Sequence, residues 1–476
     1  MATLATPISD SFNSFTLLSW LASSYLIANA ALQPLSGRLT DIFGRRTGLV
    51  FSNIFFGLGN LICGIAQSEA VMIVGRVVAG IGGGGLMTIS TFVASDLIPL
   101  RKRGLFQGFG NVAYGLGAGL GGIYGGWIND TRGWRLAFLI QVPFVIISGT
   151  LVFFSVNIPV KEKSVSRIKR IDFLGALTLV ASLVLLLLGL NSGGNIVPWT
   201  HPLVLTTLPL SIVFLLLFVY VEDKIAAEPI IPVRLLLHRT VACACLANWF
   251  ITMAIFSLLY YGPIYFQVLG MSASGAGARL IPTSLGASIG SVGTGLIMRA
   301  TGKYYILNIA ISLILIASFA LGAATMDRYL AAWPPFLYFA MGGIGYGGML
   351  TITLLALIAA VDHEHQAVIT SASYAFRSTG STIGITIASA AFQNVLKAQL
   401  WTRFGDSPDA GEIISKIRNS VNYINHLPPG WYDGVIGSYM GAFRVVWVLN
   451  LGICILGTLS SLGMAEHVLH KTLDRK

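Results

Sequence analysis

The sequence predicts an all-α integral membrane protein with about thirteen spanning helices gathered into two similar bundles. Three observations lead there. Only 49 of the 476 residues are charged (30 Lys and Arg, 19 Asp and Glu), against 55% hydrophobic residues, and the mean hydropathy is +0.77. Apolar runs of spanning length follow one another along nearly the whole chain. Glycine-containing motifs also occur twice, in the same order and at a near-constant spacing.

A soluble domain carries about a quarter charged residues. One tenth cannot cover a folded surface with polar groups, which excludes secreted scaffolds, disordered chains and ordinary cytosolic enzymes. The net charge is +11 and the pI near 9.6. A basic balance can mean nucleic acid, but here the charges sit in short loops between apolar runs, as the positive-inside bias of membrane proteins requires. Cys63, Cys243, Cys245 and Cys454 all lie in apolar stretches. Cys243 and Cys245 point in different directions on a helix, so we read neither a disulfide framework nor a metal cluster.

A spanning helix needs about 20 mostly apolar residues. Such segments lie near 16–36, 47–67, 71–94, 105–128, 135–158, 173–190, 201–221, 241–268, 274–298, 305–325, 333–360, 367–396 and 441–464. Lipid offers the backbone no hydrogen bonds, so each is read as a helix; the strand-like alternation of an outer-membrane barrel is absent. With the Gly37–Arg46 loop in the cytoplasm, alternation places nineteen Lys and Arg on that side and seven opposite, four of those seven in one long loop. The C-terminus is then cytoplasmic and Met1 lies on the far side. Met1–Phe15 is too short and polar to span, and it lacks the basic and apolar regions of a signal peptide. The expectation is that one helix upstream is missing.

The chain accordingly divides into a first bundle at 1–158 (first helix missing), cytoplasmic loops with two extra spanning helices at 159–240, and a second bundle at 241–476 with a long lumenal or extracellular loop at 397–440. Within that loop Ile413, Ile414, Ile417, Val421 and Ile424 recur at helical spacing, which predicts a short amphipathic helix on the membrane surface. Asn129-Asp130-Thr131 is a glycosylation sequon close to the membrane, read as an unmodified turn.

The repeat is explicit. Gly37-Arg-Leu-Thr-Asp41-Ile-Phe-Gly44-Arg45 returns as Gly295-Leu-Ile-Met-Arg299-Ala-Thr-Gly302-Lys303, an offset of 258. Gly80-Ile-Gly82-Gly83-Gly84-Gly85 returns as Gly343-Ile-Gly345-Tyr346-Gly347-Gly348, and Gly117 and Gly121 match Gly380 and Gly384, at an offset of 263. Duplicated bundles of this kind mark a transporter whose substrate site lies between the halves near the bilayer midplane.

Gly37-x-Leu-x-Asp41-x-x-Gly44-Arg45-Arg46 is the sharpest signal. Its glycines allow a tight turn and close helix approach. Its charges sit at the membrane edge, where an ion pair can form in one conformation and break in another. Arg76, in Val74-Gly75-Arg76-Val77-Val78-Ala79-Gly80, lies inside an apolar run. An arginine there costs roughly 2.5 kcal/mol or more and so must face the protein interior, unless it snorkels from the start of its helix. Residues 110–127, reading GNVAYGLGAGLGGIYGGW, space small residues at intervals of four, notably Gly117, Gly121, Gly125 and Gly126, which permits close crossing. Literal G-x-G-x-x-G strings at Gly80–Gly85 and Gly117–Gly122 lie inside spanning helices, so no dinucleotide cofactor is read from them.

These residues resemble the major facilitator superfamily. The Gly37–Arg46 loop is similar to its motif A, with Ile42 where the family often has Arg; Arg76 is similar to the motif-B arginine; residues 110–127 are similar to motif C, with Gly122 or Ile123 at the usual proline. Trp20–Arg46, Ser95-Asp96 with Arg103-Gly104, Phe138–Pro143 and Tyr260–Gln267 extend the likeness over nearly the whole chain, to the fungal fourteen-helix drug:proton antiporter branch and within it to vacuolar basic amino acid transporters. The resemblance implies the major facilitator fold: two pseudo-symmetric bundles plus two linker helices. It also implies that Gly37, Asp41, Gly44, Arg45, Arg46 and Arg76 serve gating and proton coupling, with Asp41, Arg45 and Arg76 forming a cytoplasmic-side charge relay, and that the Gly117–Gly126 helix marks antiport. Ala2–Ile8 resembles the end of the family's first helix.

Asn111 and Arg377, at nearly matching positions in the two halves, are candidates for the central cavity. Tyr260, Tyr261 and Gln267, with Tyr265 and Phe266, either line it or anchor the helix at the interface. His363-Glu364-His365 has no third converging ligand and reads as a solvated loop, so no metal is expected. The expected function is proton-coupled antiport by alternating access, moving basic amino acids into the vacuole. The alternative is efflux of drugs or other small molecules at the plasma membrane. An intramembrane enzyme or a non-transporting sensor is more remote. The expected partners are a small-molecule substrate, protons and lipid, with no cofactor and no nucleic acid, and the protein is read as a monomer. A cationic amino acid would favour a carboxylate in the cavity, yet besides Asp41 and Asp96 at the membrane edges these helices offer none.

Overall fold

The computed structural model describes residues 4–12, 15–98, 100–158, 172–193, 197–226, 229–231, 233–271, 273–327, 333–362, 365–407, 409–419 and 421–467. His363, Glu364, the basic segment 159–171 and the C-terminal Lys471, Arg475 and Lys476 lie outside the described residues.

The described chain is helical: α1 (Ala5–Ser11), α2 (Phe15–Phe43), α3 (Arg45–Ile65), α4 (Glu69–Leu97), α5 (Leu100–Arg132), α6 (Trp134–Leu139), α7 (Gln141–Ser155), α8 (Phe173–Ser192), α9 (Pro202–Lys224), α10 (Val233–Leu236), α11 (Arg239–Val268), α12 (Ala273–Ala278), α13 (Ile281–Thr301), α14 (Tyr305–Thr325), α15 (Pro334–Ala359), α16 (Gln366–Phe404), α17 (Ala410–Asn419), a 3-10 helix (Val421–His426) and α18 (Tyr432–Leu462). Ten segments among the described residues are long and apolar enough to cross a membrane, including α6 with α7 and α12 with α13 as single spans. The other three expected segments are α2, α5 and α16, of 29, 33 and 39 residues. Large apolar side chains face outward, among them Phe154, Leu216 and Ile306, as lipid contact requires.

Helix starts follow local chemistry. Ser68 caps α4 by accepting from the Val71 amide at 3.4 Å, and Asp172 caps α8 by accepting from Gly175 at 2.8 Å. Pro202 and Pro282 sit in first turns, where a missing amide costs nothing. The buried Glu222 ends the linker pair by accepting from the Ile230 and Ile231 amides at 3.0 and 3.3 Å.

The internal repeat is visible as geometry. α4 packs between α2 and α3, and α15 packs between α13 and α14. A Cβ on Gly80 would lie 2.5 Å from the Tyr25 carbonyl oxygen, and one on Gly343 would collide with that of Thr283. Gly84 and Gly347 meet the carbonyls of Asn29 and Ala287 in the same way. Tyr25 to Thr283 and Asn29 to Ala287 are both steps of 258. Gly44 and Gly302, also 258 apart, both take positive φ (93° and 73°), a backbone that only glycine adopts cheaply.

The halves meet along α2 with α16 and α5 with α13. A Cβ on Gly37 would lie 2.6 Å from Ser371 Oγ, and Ser371 Oγ donates to the Pro34 carbonyl at 3.2 Å. Asn111 Nδ2 donates to Ser291 Oγ at 2.7 Å.

Three expectations need correction. The loop 397–440 is shorter: α16 runs on to Phe404 and α18 starts at Tyr432. The polar extensions hold each other, with Phe404 stacked on Trp431 at 4.1 Å and Arg403 Nη1 donating to the Gly434 carbonyl at 3.1 Å. The amphipathic segment is present, but its apolar face packs on protein rather than on a membrane surface. Ile414, Ile417 and Ile424 are buried in the core of the second half, and Tyr439 Oη donates to the Ile417 carbonyl at 2.7 Å. The side chain of Val421 lies outside the described residues. Asn129 is in the last turn of α5, not in a loop turn; the chain reverses at Gly133, with φ 82°.

Past α18, residues 463–467 form a strap tied to the second half. Tyr304 Oη donates to the Ala465 carbonyl at 2.6 Å and accepts from the His467 amide at 2.9 Å, while the His467 ring lies 3.1 Å from Thr240 Oγ1. Partial burial, and then the nearby His238, hold His467 below the ordinary histidine value of about 6.5. The neutral ring therefore supports the strap above about pH 6.5, and that support is lost as pH falls through the lowered value. Amide-exchange protection of residues 464–467, corrected for intrinsic rates, is expected to fall between about pH 7.5 and about pH 5. His467→Gln should remove that pH dependence.

Candidate functional site: a membrane-edge charge triad and a central cavity

Gly44 reverses the chain between α2 and α3 and sets Arg45 at the first turn of α3. From there Arg45 Nη1 reaches Asp41 Oδ1 at 2.8 Å and Thr40 Oγ1 at 2.7 Å, while Nε donates to Asp96 Oδ2, near the end of α4, at 2.9 Å. The guanidinium also lies 5.2 Å from the centre of the Phe92 ring. One arginine thus ties two carboxylates on two helices, in the low-dielectric edge where such bonds are strong. Arg46 is not in this cluster; it lies over Phe153 of α7 at 4.0 Å.

Arg76 is not in it either, which corrects the expected relay. Twenty residues of helix separate Arg76 from Asp96, about 30 Å at helical rise. Arg76 instead donates through Nε to the Leu21 carbonyl at 2.8 Å and lies 4.5 Å over the Tyr25 ring, at the opposite end of α4. It is buried at 8% exposure, with its charge turned inward rather than snorkelling.

Among the described residues, three of the four motif-C glycines do not form the expected crossing. A Cβ on Gly117, Gly121 or Gly126 would meet nothing within 4 Å, and Gly125 is buried. The close approach on α5 comes earlier, where Gly108 meets Val292 and Gly115 meets Ser284 on α13. The repeat partners Gly380 and Gly384 do pack tightly, on the Trp249 and Met253 backbone of α11.

A cavity of about 240 Å³ opens between the halves, walled by α4 and α5 on one side and by α11, α13, α15 and α16 on the other. Asn111 and Arg377 both line it. Thr91 and Tyr374 hydroxyls bridge its two walls at 2.8 Å. Tyr260, Tyr261 and Gln267 are not among its described lining residues: Tyr261 is buried against Phe392 at 5.1 Å, in the core of the second half, and Tyr260 meets it edge-on from the exposed side. Among the described residues no group of three His, Cys, Asp or Glu could hold a metal.

A family model described as Major Facilitator Superfamily matches residues 1–385. The chain belongs to the major facilitator superfamily. It is 40% identical to the multidrug resistance protein fnx1 of Schizosaccharomyces pombe, over 100% of this chain and 90% of that one. It is 34% identical to the vacuolar membrane amino acid uptake transporter fnx2 of the same yeast (93% and 77% covered) and 35% identical to vacuolar basic amino acid transporter 2 of Saccharomyces cerevisiae (89% and 92%). Among solved structures, the human organic anion transporter MFSD10 (TETRAN) shares the fold, with a TM-score of 0.60 at 14% identity over 94% of this chain and 84% of that one. The protein is a multi-pass membrane transporter of this superfamily, not an enzyme.

Sequence reasoning missed the second carboxylate of the triad, Asp96, although an acid at the end of an apolar run opposite Arg45 was a visible signal. It also missed Tyr114, Tyr346 and Tyr374 in the cavity. The offset of 263 finds two of them, pairing Asn111 with Tyr374 and Tyr114 with Arg377.

Proposed function

We propose that this transporter exchanges protons for basic amino acids by alternating access, as a monomer in the vacuolar membrane, with 1–158 and 241–476 as the rocking halves and 159–240 as the linker. The observation that carries the reading is a cavity walled by both halves, with a charge triad at the end of the bundle where α2, α3 and α4 meet. Protonation of Asp41 or Asp96 removes one arm of the triad and shifts the balance between the two access states. The names of the vacuolar relatives support the choice of substrate and membrane. The name of the 40% identical relative favours a second reading, export of drugs.

The test is flux into proteoliposomes holding the full chain, with labelled lysine, arginine and histidine, with and without an imposed pH gradient. Gradient-dependent accumulation that Asp41→Asn abolishes, while the variant elutes as folded protein, is the expected result. Flux indifferent to the gradient sinks proton coupling. Gradient-driven export of drugs with no amino acid flux selects the second reading.

A further inference from the structure

The described lining of the cavity carries one formal charge, and it is positive. Among its described lining residues Arg377 is the sole Lys, Arg, Asp, Glu or His; the others are hydroxyls, amides, rings and aliphatic groups. Its guanidinium lies 4.5 Å over the Tyr374 ring, with Tyr114 and Tyr346 also in the wall, and it makes no ion pair among the described residues. The repeat sharpens the point. Arg377 stands on α16 where Tyr114 stands on α5, 263 residues earlier, so one half presents a phenol and the other a guanidinium. The cavity is therefore electrically one-sided.

A ring satisfies only the face of a guanidinium, and the Tyr346 side chain takes one of its hydrogen bonds. A guanidinium has five N–H donors, so others remain to meet a carboxylate, whose geometry they match. The same charge repels any cation brought beside it. The phenolic rings of Tyr114 and Tyr346 offer faces to a cationic or apolar group elsewhere in the cavity. The volume lies below the roughly 300–1,000 Å³ typical of sites for drug-sized ligands, which suits a small solute.

We propose that Arg377 is the subsite for the carboxylate of the transported solute, and that the cavity selects carboxylate-bearing solutes, amino acids among them, over amines of the same size. This rests on the reading of the cavity as the transport site. It also removes the difficulty of a missing acid: a basic amino acid is held by its carboxylate end, not by its side chain.

The test is equilibrium binding of labelled lysine to the full chain in nanodiscs, competed by unlabelled arginine, cadaverine and agmatine. Cadaverine and agmatine keep the cationic groups and lack the carboxylate. They are expected to compete at least about tenfold more weakly than lysine and arginine, the scale of one lost charge-assisted pair. Arg377→Gln should weaken lysine by a similar factor and erase the preference, while Arg377→Lys, a point charge without the fork, should restore part of it. Cadaverine competing as well as lysine overturns the proposal, and this comparison needs only the wild-type chain. A full preference in Arg377→Gln, or binding of none of these probes, overturns it too. A carboxylate preference without gradient-driven flux leaves the subsite standing and removes the proposed antiport; flux without the preference does the reverse.

Discussion

Arg45→Ala is expected to destabilise the first half by about 2–3 kcal/mol and to reduce gradient-driven flux by more than tenfold. The reason is what remains. Asp41 and Asp96 both point at the vacated guanidinium position, with side chains only 22% exposed; each loses its bond to Arg45, and their like charges face each other. A fully buried pair broken on one side costs about 3–5 kcal/mol, and the partial exposure here lowers that. The melting midpoint of the detergent-solubilised protein measures the first effect and proteoliposome flux the second. Arg45→Ala with Asp96→Asn should recover part of the midpoint, because one of the two facing charges is gone. A midpoint unchanged in Arg45→Ala would mean that the triad is ornamental.

Gly343→Leu is expected to abolish folded protein, whereas Gly117→Leu is expected to leave the midpoint almost unchanged. At Gly343 a side chain would run into the Thr283 carbonyl and the Ala287 amide of α13, which are backbone atoms that cannot turn aside. Overpacking a soluble core typically costs about 1–3 kcal/mol, and a collision of two spanning backbones lies at or beyond the top of that range. At Gly117 a side chain meets open space. Yields of monodisperse protein, measured side by side, check the contrast. Equal losses at both positions would refute the crossing geometry of α13 and α15.

The contrast between these glycines also shows what a sequence discloses. Both belong to small-residue stripes, and composition alone expects a tight crossing at each. Whether a stripe is covered depends on the neighbouring helix, which the stripe does not encode. The helices themselves were legible because a lipid solvent leaves an unbroken apolar run few options. The duplication was legible because backbone contacts demand glycine at fixed steps, so the steps survive where side chains have diverged. The segment at Ile413–Ile424 gave its period correctly. A period says that one face is apolar, not whether lipid or protein lies against it. Arg76 was drawn into the wrong cluster for a geometric reason. The family resemblance groups it with Asp41 and Arg45, but α4 carries it to the far end from Asp96, about 30 Å away. The sequence marks Arg377 only as a position matched to the other half; its meaning comes from the surrounding wall, where every other described group is neutral.

The carbonyl-to-glycine seams of α4 against α2 and of α15 against α13 bear on how the machine moves. A seam built from main chain has no spare rotamers and almost no give, so neither pair of helices can shear internally without losing contact along its length. Each is a stiff arm of a lever. Displacement must then be taken up where hydroxyls and amides meet across the midline, at Ser371 with Pro34, Thr91 with Tyr374 and Asn111 with Ser291. Spectroscopic labels on opposite arms should report large, concerted distance changes during turnover, and labels on the same arm should stay still.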